Sequence, residues 1–578
     1  MTQTSPTSAM QQLQGFSEFV QSTMQDWQLP GLAIAIVKDG ELIFSQGFGK
    51  RNVAQNLDVT PDTLFAIASC TKAFTATALG ILVDEGKLEW DKPVRNYLPT
   101  FKMHDTFATE RMTARDLLTH RSGLPRHDLM WYNSPRSRAE LFERLQYLEP
   151  SQDFRSLWQY QNLMYMTAGY LLENISGQDW AEFVKQRIFD PLGMTASNFS
   201  IADSKNSPDF ALPYHEEQEE VQETNFYDRQ HAIGPAGAIN SSVADMSKWL
   251  LLQLNKGKYA EQQIISENQL AQIHTPQIVV PQPHKYKELS HTSYALGWSV
   301  ETYRGHTLIQ HSGGIDGFSS LTTFLPDDNI GIVVLTNKSN CPAHTVVTYN
   351  ACDRLLGLDE IAWNERIHKE FQEVMDTLKK SMEPNLDDRV PDTHPSHPLS
   401  SYTGEFEHPA YDTISIKQDG EQLTLTLNEM TMPLTHYHYD IFHVTLKRFF
   451  FSSKVSFATG LKGEIEGLSI SLEPAVNAIT FKRAADQSMR EKSFLEPFVG
   501  TYEVMGITAT VTLRGEKTLF LTVPGQPDYE LIPYHNTTFQ LKDHPNFSVE
   551  FKRDEAGNVT EAIVTQPNGT MVAKKRIN

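Results

Sequence analysis

Cysteine is nearly missing from this 578-residue chain, which has only Cys70, Cys341 and Cys352. Three thiols cannot build a disulfide framework, so a hydrophobic core must hold the fold, and a reducing, cytoplasmic location is expected. Basic residues are also scarce: 50 Lys and Arg stand against 71 Asp and Glu, for a formal net charge of −21. With no Arg/Lys stripe, no nucleic-acid partner is expected. Nowhere do the roughly 18 consecutive apolar residues of a membrane helix occur. The opening stretch, MTQTSPTSAMQQLQGFSEFV, has neither a basic nor an apolar signal region, so no membrane partner is expected either. Histidines number 20, yet none stands at a spacing such as HExxH. The HPSH and HYH stretches, 394–397 and 436–438, read as surface or strand residues. No metal and no cofactor is expected.

What the chain does have is 40% hydrophobic residues and length enough for several units, at about 150 residues per domain. Apolar spacing predicts a helix over 9–26. GLAIAIVKDGELIFSQGFG reads as two strands around an Asp39-Gly40 turn. A helix follows from Ser69 to Gly86, and residues 110–200 are mostly helical. Another helix covers 242–255. Strand character returns at 306–313, 318–326 and 331–337, followed by a helix at about 342–356. Strands at both ends with helices between them predict one antiparallel sheet, flanked by helices and carrying an inserted all-helical lobe, an α/β (α+β) arrangement.

Four domains are expected: a sheet-and-helix domain over 1–358, a helix and linker over 359–399, and two β repeats over 400–485 and 486–578. The linker 384–399 holds four prolines. The repeats open on Tyr402-Thr403-Gly404-Glu405-Phe406 and Phe498-Val499-Gly500-Thr501-Tyr502, and close on FKR and KKR. They predict an all-β C-terminal region, either one closed barrel or two small ones.

The chemistry centres on Ser69-Cys70-Thr71-Lys72. A serine hydroxyl needs an adjacent base, and a lysine serves when burial or a nearby cation lowers its pKa. Positions i and i+3 of a helix share a face, so the amine stands beside the hydroxyl. The helix N-terminus directs N–H groups at developing negative charge. Taken alone, the tetrapeptide recurs by chance about once in a chain of this length. Its bland reading is a helix cap followed by a solvated lysine.

The longer run FAIASCTKAFTATALGILVDEGKLEWDKPV resembles the nucleophile segment of the serine β-lactamase and penicillin-binding-protein superfamily, nearest its class C-like, D-aminopeptidase and esterase members. ARDLLTHRSGLP (114–125), GPAGAINSSVADMSKWL (234–250) and GIVVLTN match further stretches in order, so the resemblance covers about residues 10–358. It implies that Tyr160 relays protons and that Asn162, in Tyr160-Gln161-Asn162, orients lysine and substrate. His311-Ser312-Gly313 falls where Lys-Thr-Gly is usual. Histidine is only partly charged near neutral pH, so it holds a substrate carboxylate less firmly than lysine and points away from β-lactam hydrolysis. The oxyanion hole is expected at the N–H groups of Ser69 and Gly314, with Gly313 and Gly314 allowing close approach.

The resemblance therefore implies a D-stereospecific serine peptidase or amidase acting on small peptides that contain D-residues. A carboxylesterase, an acyltransferase or thioesterase, a β-lactamase and a non-catalytic penicillin-recognising protein are the alternatives. The partner is a small peptide, amide or ester substrate, and a homo-oligomer is left open. The C-terminal region is similar to the lipocalin-like domains that accompany some family members, either gating the cleft, building an oligomer, or only stabilising the chain. Trp158, Tyr165 and residues 130–133 are expected to line the pocket.

Overall fold

Asp39 and Gly40 both take positive φ, 52° and 83°, as a type I′ turn requires. Strands Gly31–Lys38 and Glu41–Asn52 pair across this turn. Gly31–Lys38 is paired on its other side with Ile330–Thr336, antiparallel, which joins the two ends of the N-terminal region in one sheet. The computed structural model describes residues 8–576 apart from 218, 229–230, 282–285, 384–387, 447–449, 462, 486 and 505. In it the sheet has nine strands. Their order runs Ile278–Val279, Leu289–Tyr294, Ser299–Tyr303, His306–Ile315, Phe318–Leu325, Ile330–Thr336, Gly31–Lys38, Glu41–Asn52 and Leu57–Asp58.

The sheet is buried on both faces at its centre. Leu32, Ile34, Ile36, Ile330, Ile332 and Val334 share a cluster with Phe16 and Val20 of helix Phe16–Asp26 and with Val346 and Val347 of helix Ala343–Leu356. Each such aliphatic side chain contributes about 1.5–3 kcal/mol when withdrawn from water. On the opposite face a Cβ at Gly331 would meet Val37 at 2.7 Å and Leu250 at 3.2 Å, so helix Val243–Leu254 lies close on the strands.

One expected element is divided. The helix predicted over 9–26 is two helices, Ser8–Gln12 and Phe16–Asp26, broken at Gly15 with φ 78°. Periodicity does not reveal the break because a helix tolerates one glycine, but here the glycine takes the left-handed conformation that ends a helix.

Helix Thr71–Asp84 has every side chain from Thr71 to Leu82 buried. It packs against helices Leu163–Ser176 and Glu267–His274, and its Phe74 stacks on Trp249 with ring centroids 3.8 Å apart. A helix buried all round belongs inside, and its buried Lys72, Thr71 and Thr75 find polar partners there. Gly169 lets helix Leu163–Ser176 come against Pro235, since a Cβ there would fall 2.1 Å from the proline ring. Among the described residues no helix is long and apolar enough to cross a membrane.

The chain divides into two compact units, Met1–Glu383 with Leu472–Asn477, and Pro384–Ser471 with Ala478–Asn578. Helix Trp363–Met382 belongs to the first unit, where Trp27 Nε1 donates to Asn364 Oδ1 at 2.7 Å. The expected linker over 384–399 begins in 384–387, outside the described residues. The second unit contains two closed eight-stranded barrels, one from Gly404–His408 to Ile479–Arg483 and one from Gly500–Val504 to Gly569–Lys575.

The internal repeat has a physical basis in these barrels. Each closes by pairing its first and last strands, Phe406 opposite Arg483 and Tyr502 opposite Lys575. Gly404 and Gly500 take φ 131° and 151°, and a Cβ on either would meet the closing basic side chain at 2.6 Å. Arg483 donates to Thr403 O and Ser401 O and lies 4.9 Å from the Phe406 ring. Lys575 likewise donates to Pro497 O and lies 5.8 Å from the Tyr502 ring. The glycine and the terminal basic residue in each repeat are therefore two halves of one closure.

Candidate active site

Ser69 stands in the 3-10 turn Ala68–Cys70 that leads into helix Thr71–Asp84. Ala68 has φ 46°, a left-handed conformation costing a non-glycine residue roughly 1–2 kcal/mol. The turn is held from outside. Cys70 Sγ donates to His311 O at 3.0 Å, and Ser320 Oγ donates to Ile67 O at 2.8 Å. A Cβ on Gly313 would lie 2.1 Å from Ile67 O, 2.4 Å from Ser320 Oγ and 3.0 Å from Ser69 N. Strand His306–Ile315 thus fits against the serine turn only with glycine at 313. Gly313→Ala is expected to lower stability by about 1–3 kcal/mol and to slow covalent labelling of Ser69. Thermal unfolding and labelling kinetics check this, and an unchanged labelling rate would contradict it.

Lys72 is fully buried. Its Nζ contacts Ser69 Oγ at 3.0 Å, Asn162 Oδ1 at 2.8 Å and Ala236 O at 2.8 Å. The amide oxygen and the carbonyl can only accept. When the amine is neutral, its two N–H bonds go to them and its lone pair faces the serine hydroxyl. Burial, and then the positive charge of Arg126, hold Lys72 well below the usual lysine range.

Tyr160 donates its hydroxyl to Ser69 Oγ at 2.8 Å. Burial raises its pKa, so it is a phenol and not a phenolate at neutral pH. Two basic groups stand near its ring, Lys72 Nζ at 5.0 Å and the Arg126 guanidinium at 5.2 Å from the centroid. The loop carrying Tyr160 is held by His120, whose carbonyl accepts from Gln159 N at 2.7 Å and whose Nδ1 accepts from Gln161 N at 3.3 Å. The loop that carries His120 is braced in turn by buried Asp116, which pairs with Arg121 and Arg155.

Asn162 is oriented from behind. Its Nδ2 donates to Asp128 Oδ1 at 3.3 Å, which leaves Oδ1 for Lys72. Asp128 also accepts from Trp131 Nε1 and from Arg126 Nε.

His311 is almost completely buried, and burial lowers its pKa to about 3, helped by Lys72. Its Nδ1 lies 2.7 Å from Ser312 O and its Nε2 2.9 Å from the Tyr294 hydroxyl. Because a carbonyl only accepts, the proton sits on Nδ1 and the tyrosine donates to Nε2. The ring is neutral and both nitrogens are engaged, so it is not a cation at the mouth of the site. Gly314 is exposed on the same strand, and among the described residues the pairing with Ser299–Tyr303 runs only as far as Gln310.

The structure therefore brings Ser69, Lys72, Tyr160 and Asn162 into hydrogen-bonded contact and sets Gly313 against Ser69 N. It holds His311 at one remove, through the shared strand. Of the expected lining, Tyr165 is fully buried with its hydroxyl on Leu118 O, while Trp158 and Trp131 are part-exposed. Sequence reasoning missed His120, Arg126, Asp128, Tyr294 and the carbonyl of Ala236. Arg126-His127-Asp128, charged residues directly after the SGLP stretch, were the available signal. Among the described residues no group of three or more His, Cys, Asp or Glu side chains is placed to hold a metal ion.

A helix-flanked antiparallel sheet presenting a buried lysine one turn after a serine is the architecture of the serine hydrolase superfamily that contains β-lactamases and penicillin-binding proteins. The chain belongs to the β-lactamase family, whose sequence pattern matches residues 16–351, more than half its length. A domain of unknown function, DUF3471, matches residues 388–483. The chain is 30% identical over 428 residues to unguisins hydrolase ungD′ of Aspergillus campestris, covering 71% of this chain and 78% of the relative. It is 29% identical over 350 residues to protein flp of Staphylococcus aureus, covering 57% and 63% respectively. Among solved structures, it is similar to the octameric penicillin-binding protein homologue from Pyrococcus abyssi. There the TM-score is 0.53 at 24% identity, covering 81% of this chain and all of the other, a likeness of fold.

Proposed function

We propose that the protein hydrolyses amide bonds of small D-residue-containing peptides, D-stereospecifically, through an acyl-enzyme on Ser69. The observation that carries this reading is that Lys72 Nζ and the Tyr160 hydroxyl converge on Ser69 Oγ from 3.0 Å and 2.8 Å. Neutral Lys72 takes the Ser69 proton as Oγ attacks the carbonyl carbon. The oxyanion is held by the N–H groups of Ser69 and Gly314. Removing one such donor typically costs 10²–10³ in rate. Tyr160 passes its proton to the departing nitrogen as the C–N bond breaks. The transient phenolate is stabilised by the Lys72 and Arg126 charges beside its ring. Water then releases the acyl group by the reverse proton path.

Asn162 positions Lys72, and Gly313 admits the strand edge to Ser69. His311 keeps Tyr294 and the strand in place and leaves the proton transfers to Lys72 and Tyr160. The name of the 30% identical relative, an unguisins hydrolase, accords with hydrolytic chemistry. The three free, buried thiols support a reducing, cytoplasmic location.

The test is a panel of D- and L-aminoacyl anilides with matching esters, read by turnover and by the mass of the Ser69 peptide. D-anilide turnover with an acyl mass on Ser69 is expected. Turnover of esters with anilides untouched would replace the amidase with an esterase. Equal rates on D- and L-anilides would remove the stereochemical part.

A further inference from the structure

His127 separates two residues that reach the site. The Arg126 guanidinium stands 5.2 Å from the Tyr160 ring centroid, and Asp128 Oδ1 accepts from Asn162 Nδ2 at 3.3 Å. Asn162 Oδ1 in turn accepts from Lys72. The backbone between Arg126 and Asp128 is strained. His127 has φ 46° and ψ 38°, a left-handed conformation that costs a non-glycine residue roughly 1–2 kcal/mol. Strain of that kind persists only where the surroundings hold it. The buried His127 ring does part of this, with its Nε2 3.2 Å from Glu149 O. Its backbone N–H donates to Glu473 Oε2 at 2.9 Å.

Glu473 belongs to Leu472–Asn477, the segment that joins the first unit from far along the chain. It is buried, and glutamate is almost never fully buried unless paired. Among the described residues its carboxylate accepts from two backbone N–H groups, His127 N through Oε2 and Ala475 N through Oε1 at 3.1 Å. Hydrogen bonds to an ionised acceptor are roughly twice as strong as neutral ones, so this carboxylate is a firm clamp on a turn.

The electrostatics of the base depend on that turn. Cys70, His120, Tyr160, Tyr165 and His311 all bear on Lys72. Burial raises the thiol and both phenols and lowers both imidazoles, so these five are neutral at neutral pH. Of the groups that bear on Lys72, Arg126 and Asp128 carry the charge, and Arg126 has the larger effect.

We infer that Glu473 is a positioning residue for the hydrolytic site, its carboxylate fixing the left-handed turn at His127 so that Arg126 and Asp128 stay aligned on Tyr160 and Asn162. Glu473 touches no reacting atom and acts through the backbone of His127. Without its carboxylate the turn relaxes and Arg126 moves away from Lys72. The amine then gives up its proton less readily, and activity is lost at a higher pH as the solution is acidified. This inference rests on the Ser69–Lys72 chemistry of the amide-hydrolysis reading and adds how that pair is held ready.

The experiment measures the rate of fluorophosphonate labelling of Ser69 across pH in the full chain. Glu473→Met and Glu473→Gln are a matched pair. Both are close to glutamate in length and lack its charge, and only glutamine can accept from His127 N. In Glu473→Met, labelling at neutral pH is expected to slow on the order of 10-fold, with its acidic limb displaced upward by about one pH unit. Glu473→Gln is expected to keep the limb in place and the rate within about threefold of wild type. A limb that keeps its wild-type position in Glu473→Met, or that moves equally in both variants, overturns the inference even where the rate falls. Thermal unfolding establishes that each variant is folded, and Glu473→Ala takes the place of Glu473→Met if the methionine is not accommodated. A wild type in which Ser69 is labelled at no pH defeats the underlying reading instead.

Discussion

A Ser69→Ala variant is expected to lose turnover of every accepted substrate by about 10⁴-fold or more, and to lose all covalent acylation. The argument is geometric. Ser69 Oγ lies within hydrogen-bond reach of Lys72 Nζ and the Tyr160 hydroxyl, and both groups lose their shared partner when the oxygen is removed. Water entering that space would lack the 3-10 turn that aims Oγ, so the residual rate reflects only substrate binding and the oxyanion donors. Ser69 is part-exposed and the change deletes one atom, so the melting temperature should move little. Turnover that survives the substitution, with the protein folded, would refute the mechanism.

Lys72→Met is expected to lower kcat/KM by roughly 10²–10⁴, the usual contribution of a positioned base. The two side chains are similar in length, so the buried channel stays filled. Ala236 O and Asn162 Oδ1 lose a donor, and a fall in stability of about 1–3 kcal/mol accompanies the change. The pH profile separates the two effects. The base must be neutral to act, so wild-type activity is lost as pH falls through the depressed pKa of Lys72 and is retained above it. The variant should lack that acidic limb. His311, lowered to about 3, should add no inflection near the ordinary histidine range. An acidic limb that persists in Lys72→Met would assign the base to another group.

Much of the fold could be read from local pattern. Asp39-Gly40 marked the hairpin because the turn needs two positive φ values, and the run from Ser69 marked a helix because it is rich in Ala and Leu and closes on Gly86. The Gly15 break was hidden, because periodicity registers which face a residue belongs to and not where the backbone reverses. Barrel closure was only half visible. The opening glycines and the closing FKR and KKR were evident as a repeat, but the Phe406–Arg483 and Tyr502–Lys575 pairings join residues more than seventy positions apart.

The site divides the same way. Ser69 and Lys72 form one short motif and Tyr160 and Asn162 another, although 91 residues separate Ser69 from Tyr160. Ala236 contributes a backbone carbonyl, which no residue type announces, and His120 acts through its carbonyl and one ring nitrogen from 40 residues away. His311 was read as partly charged because its residue type titrates near neutrality. Burial among Tyr294, Tyr160 and Lys72 makes it neutral, and burial is a property of the folded chain.

Leu472–Asn477 belongs to the first unit although nearly ninety residues separate it from Glu383. A ribosome working from the N-terminus delivers Arg126, His127 and Asp128 long before it delivers Glu473. Until then the His127 N–H lacks the carboxylate that accepts from it in the finished protein. The hydrolase unit is therefore discontinuous in time as well as in sequence. A nascent chain stopped at residue 383 holds Ser69 and Lys72, yet the loop between Arg126 and Asp128 has still to receive its last anchor.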